Sequence, residues 1–226
     1  MRLAFLHCGV SEDLAKVMIA SVRQHMPNVI VTQLTDERSR KVQGVDEIRR
    51  VSGRMYPYLL CKHLAELPTP FIRVDYDMVF QGDITHILDG DYDLAANLHG
   101  DQKINDSEWG QAYPYATSVL GCNRRGTEFA EDFRKTHMES GRDDWMGLIP
   151  SVNDVISSGR YKVRPLPGFI YNYTPKDKDD RPPGALVLHY KGLRKKWMIG
   201  EGREHLVKRD EFLLNERIKA CKELVP

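Results

Sequence analysis

The sequence predicts an α/β fold built on a mainly parallel central sheet flanked by helices, and three observations carry that prediction. Apolar runs of strand length recur at residues 3–8, 29–34 and 71–74, each closed by a turn or a polar residue. Segments of helical spacing alternate with those runs, the pattern of parallel strands joined by crossover helices. The chain has 226 residues, 41% hydrophobic and 29% charged, which suits one sizeable core and is too apolar for disorder.

The elements follow in order. Residues 3–8 end at Gly9, and Ser11 stands where a helix N-cap belongs, with Glu12 and Asp13 in the first turn. Within 11–26, Leu14, Val17, Met18, Ser21 and Val22 share one helical face, and Pro27-Asn28 break it. The β-branched run 29–34, ending at Thr35-Asp36, completes a βαβ unit and so places ligand sites at the carboxyl ends of the strands. Residues 36–53 are polar with alternating charge and read as a loop with one short helix around 46–51. Met55, Leu59, Leu60 and Leu64 restore helical spacing before Pro68, and 71–74 reads as a buried strand.

Beyond it, 93–98 and 116–123 read as strands, 126–139 and the stretch around 152–156 as helices. Pro165, Pro167 and Pro175 mark an irregular stretch, and Pro182-Pro183-Gly184 a turn before the apolar run 185–188. Leu206, Leu213, Leu214, Ile218, Cys221 and Val225 lie near one stripe of a terminal helix. The expected organisation is a catalytic domain over 1–200 and a C-terminal amphipathic helix over 201–226, packed on that domain or extending from it.

With 33 basic against 32 acidic side chains, whole-chain charge exerts no long-range pull toward nucleic acid or an anionic membrane. Cys8, Cys61, Cys122 and Cys221 form no Cys-x-x-Cys pair, so neither a zinc knuckle nor a disulfide framework is expected; reduced thiols in a cytoplasmic protein are the simplest reading. The apolar run 3–10 is too short for a membrane span and carries no cleavage pattern, so no export signal is expected.

The chemistry concentrates in two segments. Asp75-Tyr76-Asp77 puts two carboxylates directly after a strand that otherwise reads as buried. Two anions this close repel and are costly to desolvate, and a divalent cation removes both problems. An isolated Asp-x-Asp is more often a solvated surface turn, so its context decides. That context is His189-Tyr190-Lys191-Gly192-Leu193-Arg194-Lys195-Lys196-Trp197, which also follows an apolar strand and supplies an imidazole, a glycine turn and lysines. Two carboxylates and an imidazole make a mixed oxygen and nitrogen set hospitable to Mn²⁺, with Mg²⁺ as the harder alternative. A lysine shortly after the histidine is placed to reach a phosphate, and a glycine lets backbone approach a ligand.

At these residues the sequence resembles the GT-A-fold glycosyltransferases of family 8, the glycogenin and lipopolysaccharide galactosyltransferase type. Members carry an Asp-x-Asp at a strand end and a later His-Phe-x-Gly-x-x-Lys-Pro-Trp segment. Here His189, Gly192, Lys195 and Trp197 stand in register, while Tyr190 replaces the phenylalanine and Lys196 the proline. The segment Arg54-Met55-Tyr56-Pro57-Tyr58 resembles the helix start whose arginine contacts the donor, and residues 79–84 the turn after the metal strand. Residues 116–120 are similar to the strand that usually reads Asn-x-Gly, both of which are missing. The family's Asp-Gln pair has candidates in Asp143, Asp144, Asn153 and Asp154.

The resemblance implies transfer from a nucleotide-diphosphate sugar, most often a uridine one, with retention at the anomeric carbon. Asp75, Asp77 and His189 would hold the metal, and Asp75, Asp77 and Lys195 would carry catalysis. Donor contacts are expected from His7, Gly9, Val10, Asp36, Arg54, Tyr76, Gly192 and Lys195. Strand packing is an equally good reading of His7. Trp109, Trp145 and Trp197 are candidates to stack on a pyranose, although burial is the commoner role of a tryptophan. The acceptor is open among a glycan, a lipid headgroup, a protein, a small molecule and a nucleic-acid base.

Two rival readings are a sugar-1-phosphate nucleotidyltransferase and a sugar-nucleotide-binding module without turnover. The first turn, residues 7–12, lacks the glycine-rich loop with arginine and lysine that the former carries. The intact Asp75, Asp77, His189 and Lys195 set argues against the latter.

Overall fold

The computed structural model describes residues 1–9, 11–52, 56–141 and 147–199. A seven-stranded sheet forms its centre, in the order β3 (Glu47–Arg50), β2 (Ile30–Thr35), β1 (Arg2–Leu6), β4 (Phe71–Val74), β7 (Tyr115–Cys122), β6 (Leu94–Leu98), β8 (Val163–Leu166). Within it β7 alone runs against its neighbours β4 and β6; the other pairings are parallel. A separate antiparallel pair joins β5 (Met78–Phe80) to β9 (Val187–His189).

The pleat divides the core in two. Leu3, Phe5, Ile72 and Val74 point into one cluster, shared with α1 (Asp13–His25), the β5–β9 pair and α8 (Lys195–Ile199). Ala4, Leu6 and Phe71 point into the other, shared with α2 (Tyr56–Glu66), α5 (Gly126–Glu139) and α6 (Leu148–Ser157). Both faces are therefore covered, which is why the parallel strands read as unbroken apolar runs. Short helices α3 (Gln102–Asn105) and α4 (Glu108–Ala112) fill the β6–β7 connection, and α7 (Gly168–Tyr171) follows β8.

Two expectations are corrected. The helix expected around 46–51 is instead β3, an edge strand with one neighbour. Its charges obscured it: Arg2 grips Glu47 through two bonds of 3.0 and 3.2 Å, and Arg50 donates to the Asp36 and Ser39 carbonyls. Charged, half-exposed sequence of this kind also blunts an edge against further pairing. The N-cap of α1 is Glu12, without a side-chain cap bond, one residue beyond the expected Ser11, whose carbonyl lies 2.8 Å from His7 Nε2. The buried face of α1 also includes Ala15 and Ile19, and Ser21 Oγ accepts from the Phe80 amide at 3.0 Å, tying α1 to β5. The helix expected over 201–226 lies outside the described residues. Among the described residues no helix is long and apolar enough to cross a membrane.

Candidate active site

The site starts with an arginine in the middle of β4. Arg73 is 1% exposed, and an unpaired guanidinium there would be strongly destabilising. Its guanidinium donates to the Thr117 carbonyl on β7 and to Asp75 Oδ1. The pairing also aims Asp75: with Oδ1 taken, Oδ2 stands 3.6 Å from His189 Nε2.

Asp77, 7% exposed, completes the cluster. Its Oδ1 lies 3.1 Å from His189 Nε2 and its Oδ2 3.5 Å from Lys195 Nζ. The two motifs meet because β5 and β9 pair with Met78 opposite His189, and the Tyr190 amide donates to the Asp77 carbonyl at 2.9 Å. No local sequence feature forces that meeting; it is a product of strand pairing.

His189 is itself held from behind. Its Nδ1 is 2.8 Å from Oδ1 of Asn172, a side chain with no exposed surface. The amide oxygen only accepts, so Nδ1 carries the proton and donates, and the Nε2 edge is turned toward the carboxylates. Asn172 is fixed in turn by Ser118 Oγ at 3.2 Å and by the Leu98 carbonyl, to which its Nδ2 donates at 3.3 Å. The segment carrying it lies along β9, with the Tyr173 amide bonded to Val187 and the His189 amide to Tyr173.

These residues fit a divalent cation. One ligand atom each from Asp75, Asp77 and His189 lies within 4.8 Å of the others. Adjacent ligands of an ion with bonds near 2.1 Å sit about 3 Å apart, close to the 3.1 Å Asp77–His189 edge. The back-bonded imidazole supplies the orienting hydrogen bond that metal-ligating histidines require. Burial alone would raise the Asp77 carboxyl, but His189 and Lys195 beside it outweigh burial and hold it well below the usual carboxylate range. Burial pulls the Lys191 ammonium down, against the nearby charges of Asp75, Asp77 and Asp101. A second cation thus adjoins the pair of aspartates.

The remaining expected residues are placed as follows. Lys195 opens α8 and also lies over the Tyr76 ring, 5.4 Å from its centroid. Tyr76 meets the His7 ring edge-on at 5.4 Å, so His7 is buried structure that also borders the site. The Gly9 amide donates to Ser39 Oγ at 3.1 Å, and Asp36 Oδ1 accepts from the Arg38 and Ser39 amides, shaping the loop beyond β2. Gly192 sits at φ +56°, where an L side chain is strained, and starts a 3-10 turn over Gly192–Arg194. Val10, Arg54, Asp143, Asp144 and Trp145 lie outside the described residues.

Asn153 is engaged elsewhere, bonding both backbone groups of Tyr115 and so tying α6 to β7, while Asp154 is exposed on α6. Trp109 packs on His99 and Tyr113, and Trp197 is partly buried against the core.

The sequence reading missed the roles of Arg73 and Asn172. The first had a signal, since a lone arginine in a buried strand needs an anion and Asp75 is two residues away. Asn172 had none: it lies in a proline-flanked stretch without periodicity.

No family model and no curated protein matches the sequence. Solved structures do. The galactosyltransferase LgtC, in complex with donor and acceptor sugar analogs, matches 94% of this chain and 96% of its own at TM-score 0.60 and 17% identity. The fold is the GT-A glycosyltransferase fold. An active-site mutant of LgtC matches 92% of this chain and 94% of its own at TM-score 0.60, also with 17% identity. The apo glycosyltransferase GlyE of Streptococcus pneumoniae matches 97% of this chain but 63% of its own, at TM-score 0.58 and 17% identity.

Proposed function

We propose that this chain is a metal-dependent glycosyltransferase, moving a sugar from a nucleotide-diphosphate donor, a uridine one first, to an acceptor hydroxyl with retention at the anomeric carbon. The observation that carries the proposal is the convergence of Asp75, Asp77 and His189 beside Lys195 on a GT-A fold. The LgtC structure holds both donor and acceptor analogs, which supports a two-substrate reading of this fold. A divalent cation bound by Asp75, Asp77 and His189, Mn²⁺ ahead of Mg²⁺, supplies Lewis-acid stabilisation of the charge that develops on the β-phosphate.

The side chains do the rest. Lys195 turns from Asp77 to the diphosphate and donates to its oxygens; such a donor, aimed at developing charge, is worth about 3 kcal/mol in the transition state. Lys191 adds positive charge on the same side. Arg73 and Asn172 hold the aspartate and the histidine in place, so little reorganisation is needed when donor arrives. His7, Gly9, Val10, Asp36, Arg54, Tyr76 and Gly192 are proposed as contacts to the nucleotide or its phosphates. Cys61 and Cys122 are buried, and burial pushes the Cys61 thiol up to about 12, consistent with unreactive thiols in a cytoplasmic protein.

A panel of nucleotide sugars incubated with Mn²⁺ tests the proposal through the released product. Nucleoside diphosphate released from one donor, and suppressed by EDTA, is the expected result. Pyrophosphate formed from a sugar phosphate and a nucleoside triphosphate would instead establish the nucleotidyltransferase. Donor binding with neither hydrolysis nor transfer would leave a binding module.

A further inference from the structure

Strand β7 leaves the regular ladder beside the candidate metal centre. Between the Ala96–Leu120 and Leu98–Tyr115 pairs, β6 contributes Asn97 alone while β7 contributes the four residues 116–119. A bulge of this kind re-aims the groups it carries, and its extra residues lose their ladder partners. Thr117 and Ser118 lie within it, both buried.

The two supports of the metal centre start from those residues. The Thr117 carbonyl accepts from the Arg73 guanidinium, which also grips Asp75 Oδ1. The Ser118 hydroxyl donates to Asn172 Oδ1 at 3.2 Å, the same oxygen that accepts from His189 Nδ1 at 2.8 Å. An amide oxygen has two lone pairs, so both are taken and the oxygen is fixed from two sides. Asp75 and His189 come from distant motifs, yet the bulge ties them to one base.

Asn97 closes the bulge. It has no exposed surface, and its side chain stands in for a ladder partner, Oδ1 accepting from the Val119 amide at 2.7 Å. Its Nδ2 donates to the Leu98 carbonyl at 2.9 Å and stands 3.5 Å from Ser118 Oγ. The Leu98 carbonyl and the Ser118 hydroxyl are the two groups that hold Asn172. At the other end of the bulge, Asn153 bonds both backbone groups of Tyr115, at 3.0 and 2.8 Å. Asn97, Ser118, Asn153 and Asn172 are all buried, where low dielectric makes each of these bonds costly to break.

We propose that Asn97 is a positioning residue for the metal centre. By clamping the β7 bulge it sets the Asn172 amide and the Arg73 guanidinium, and through them the ligand atoms of His189 and Asp75. The inference rests on the reading above that Asp75, Asp77 and His189 hold a divalent cation. Its consequence is that metal affinity depends on an irregularity of the sheet as well as on the motifs that carry the ligands.

The test is Mn²⁺ titration of the full chain, with free ion read by electron paramagnetic resonance and the unfolding temperature measured in EDTA on the same samples. Asn97→Ala should bind Mn²⁺ roughly threefold to tenfold more weakly, below the 10–100-fold typical of a group bonded directly to a ligand. Ser118→Ala leaves the Asn97–Val119 bond in place and should weaken Mn²⁺ binding by a smaller factor. The core change Phe133→Leu, on α5, should lower the unfolding temperature and leave Mn²⁺ affinity at the wild-type value. Because Asn97 acts through Asn172, adding Asn97→Ala to Asn172→Leu should weaken binding by a smaller factor than it does in the wild type. Wild-type affinity in both Asn97→Ala and Ser118→Ala, the same factor in both backgrounds, or an equal loss in Phe133→Leu overturns the inference. If Asn97→Ala does not fold, Ser118→Ala alone and combined with Asn172→Leu decides by the same criteria. Mn²⁺ bound equally well by the wild type and the variants removes the positioning role alone, whereas a wild type that binds no Mn²⁺ removes the metal reading and this inference with it.

Discussion

Replacing Asn172 tests the whole architecture, because this side chain touches no ligand and acts only through His189. In Asn172→Leu the imidazole loses the acceptor at Nδ1, 2.8 Å away, and is no longer fixed in tautomer or orientation. Loss of such an orienting partner typically costs 10–100-fold in metal affinity, about 1.4–2.8 kcal/mol. The Ser118 hydroxyl and the Leu98 carbonyl each lose one partner while keeping Asn97 Nδ2 at 3.5 and 2.9 Å, so thermal stability should also fall, by about 0.5–1.5 kcal/mol per lost bond. Asn172→Asp keeps an acceptor for Nδ1 while giving up the bond to Leu98, and should therefore retain Mn²⁺ affinity despite some loss of stability. Free Mn²⁺ read by electron paramagnetic resonance on folded protein measures affinity without reference to turnover. Wild-type Mn²⁺ affinity in Asn172→Leu, or an Asp variant as weak as the Leu one, would refute the orienting role.

Other expectations follow from the same geometry. Asp75→Asn and Asp77→Asn should each nearly abolish release of nucleoside diphosphate while circular dichroism stays native. Lys195→Met should lower kcat by about 10²–10³ with a smaller effect on Mn²⁺ binding, read by steady-state kinetics. Asp77 has its folded-state pKa depressed, so the stability it contributes is present above about pH 4 and is lost as pH falls further. In EDTA, the unfolding temperature of the wild type should therefore drop more steeply below pH 4 than that of Asp77→Asn. A Cβ on Gly100 would stand 1.8 Å from the Asn172 carbonyl oxygen, so Gly100→Ala should destabilise by about 1–3 kcal/mol in chemical denaturation and weaken Mn²⁺ binding with it.

The sequence by itself determined the α/β alternation, the strand at Phe71–Val74, the helix at Gly126–Glu139 and the pair of motifs that carry the chemistry. It could do so because periodicity, glycine and proline breaks, and clustered charges are local properties of the chain. The edge strand β3 escaped because it is charged and half exposed, leaving no apolar pattern to read. Only the tertiary structure decided that Asp77 and His189 lie 3.1 Å apart, since that depends on β5 and β9 pairing across a long separation in sequence. It alone also decided that Arg73 aims one ligand, that Asn172 aims another, and that prolines and aromatics from separate segments line one cavity. Orientation and enclosure are relations between distant residues, and local spacing carries no trace of them.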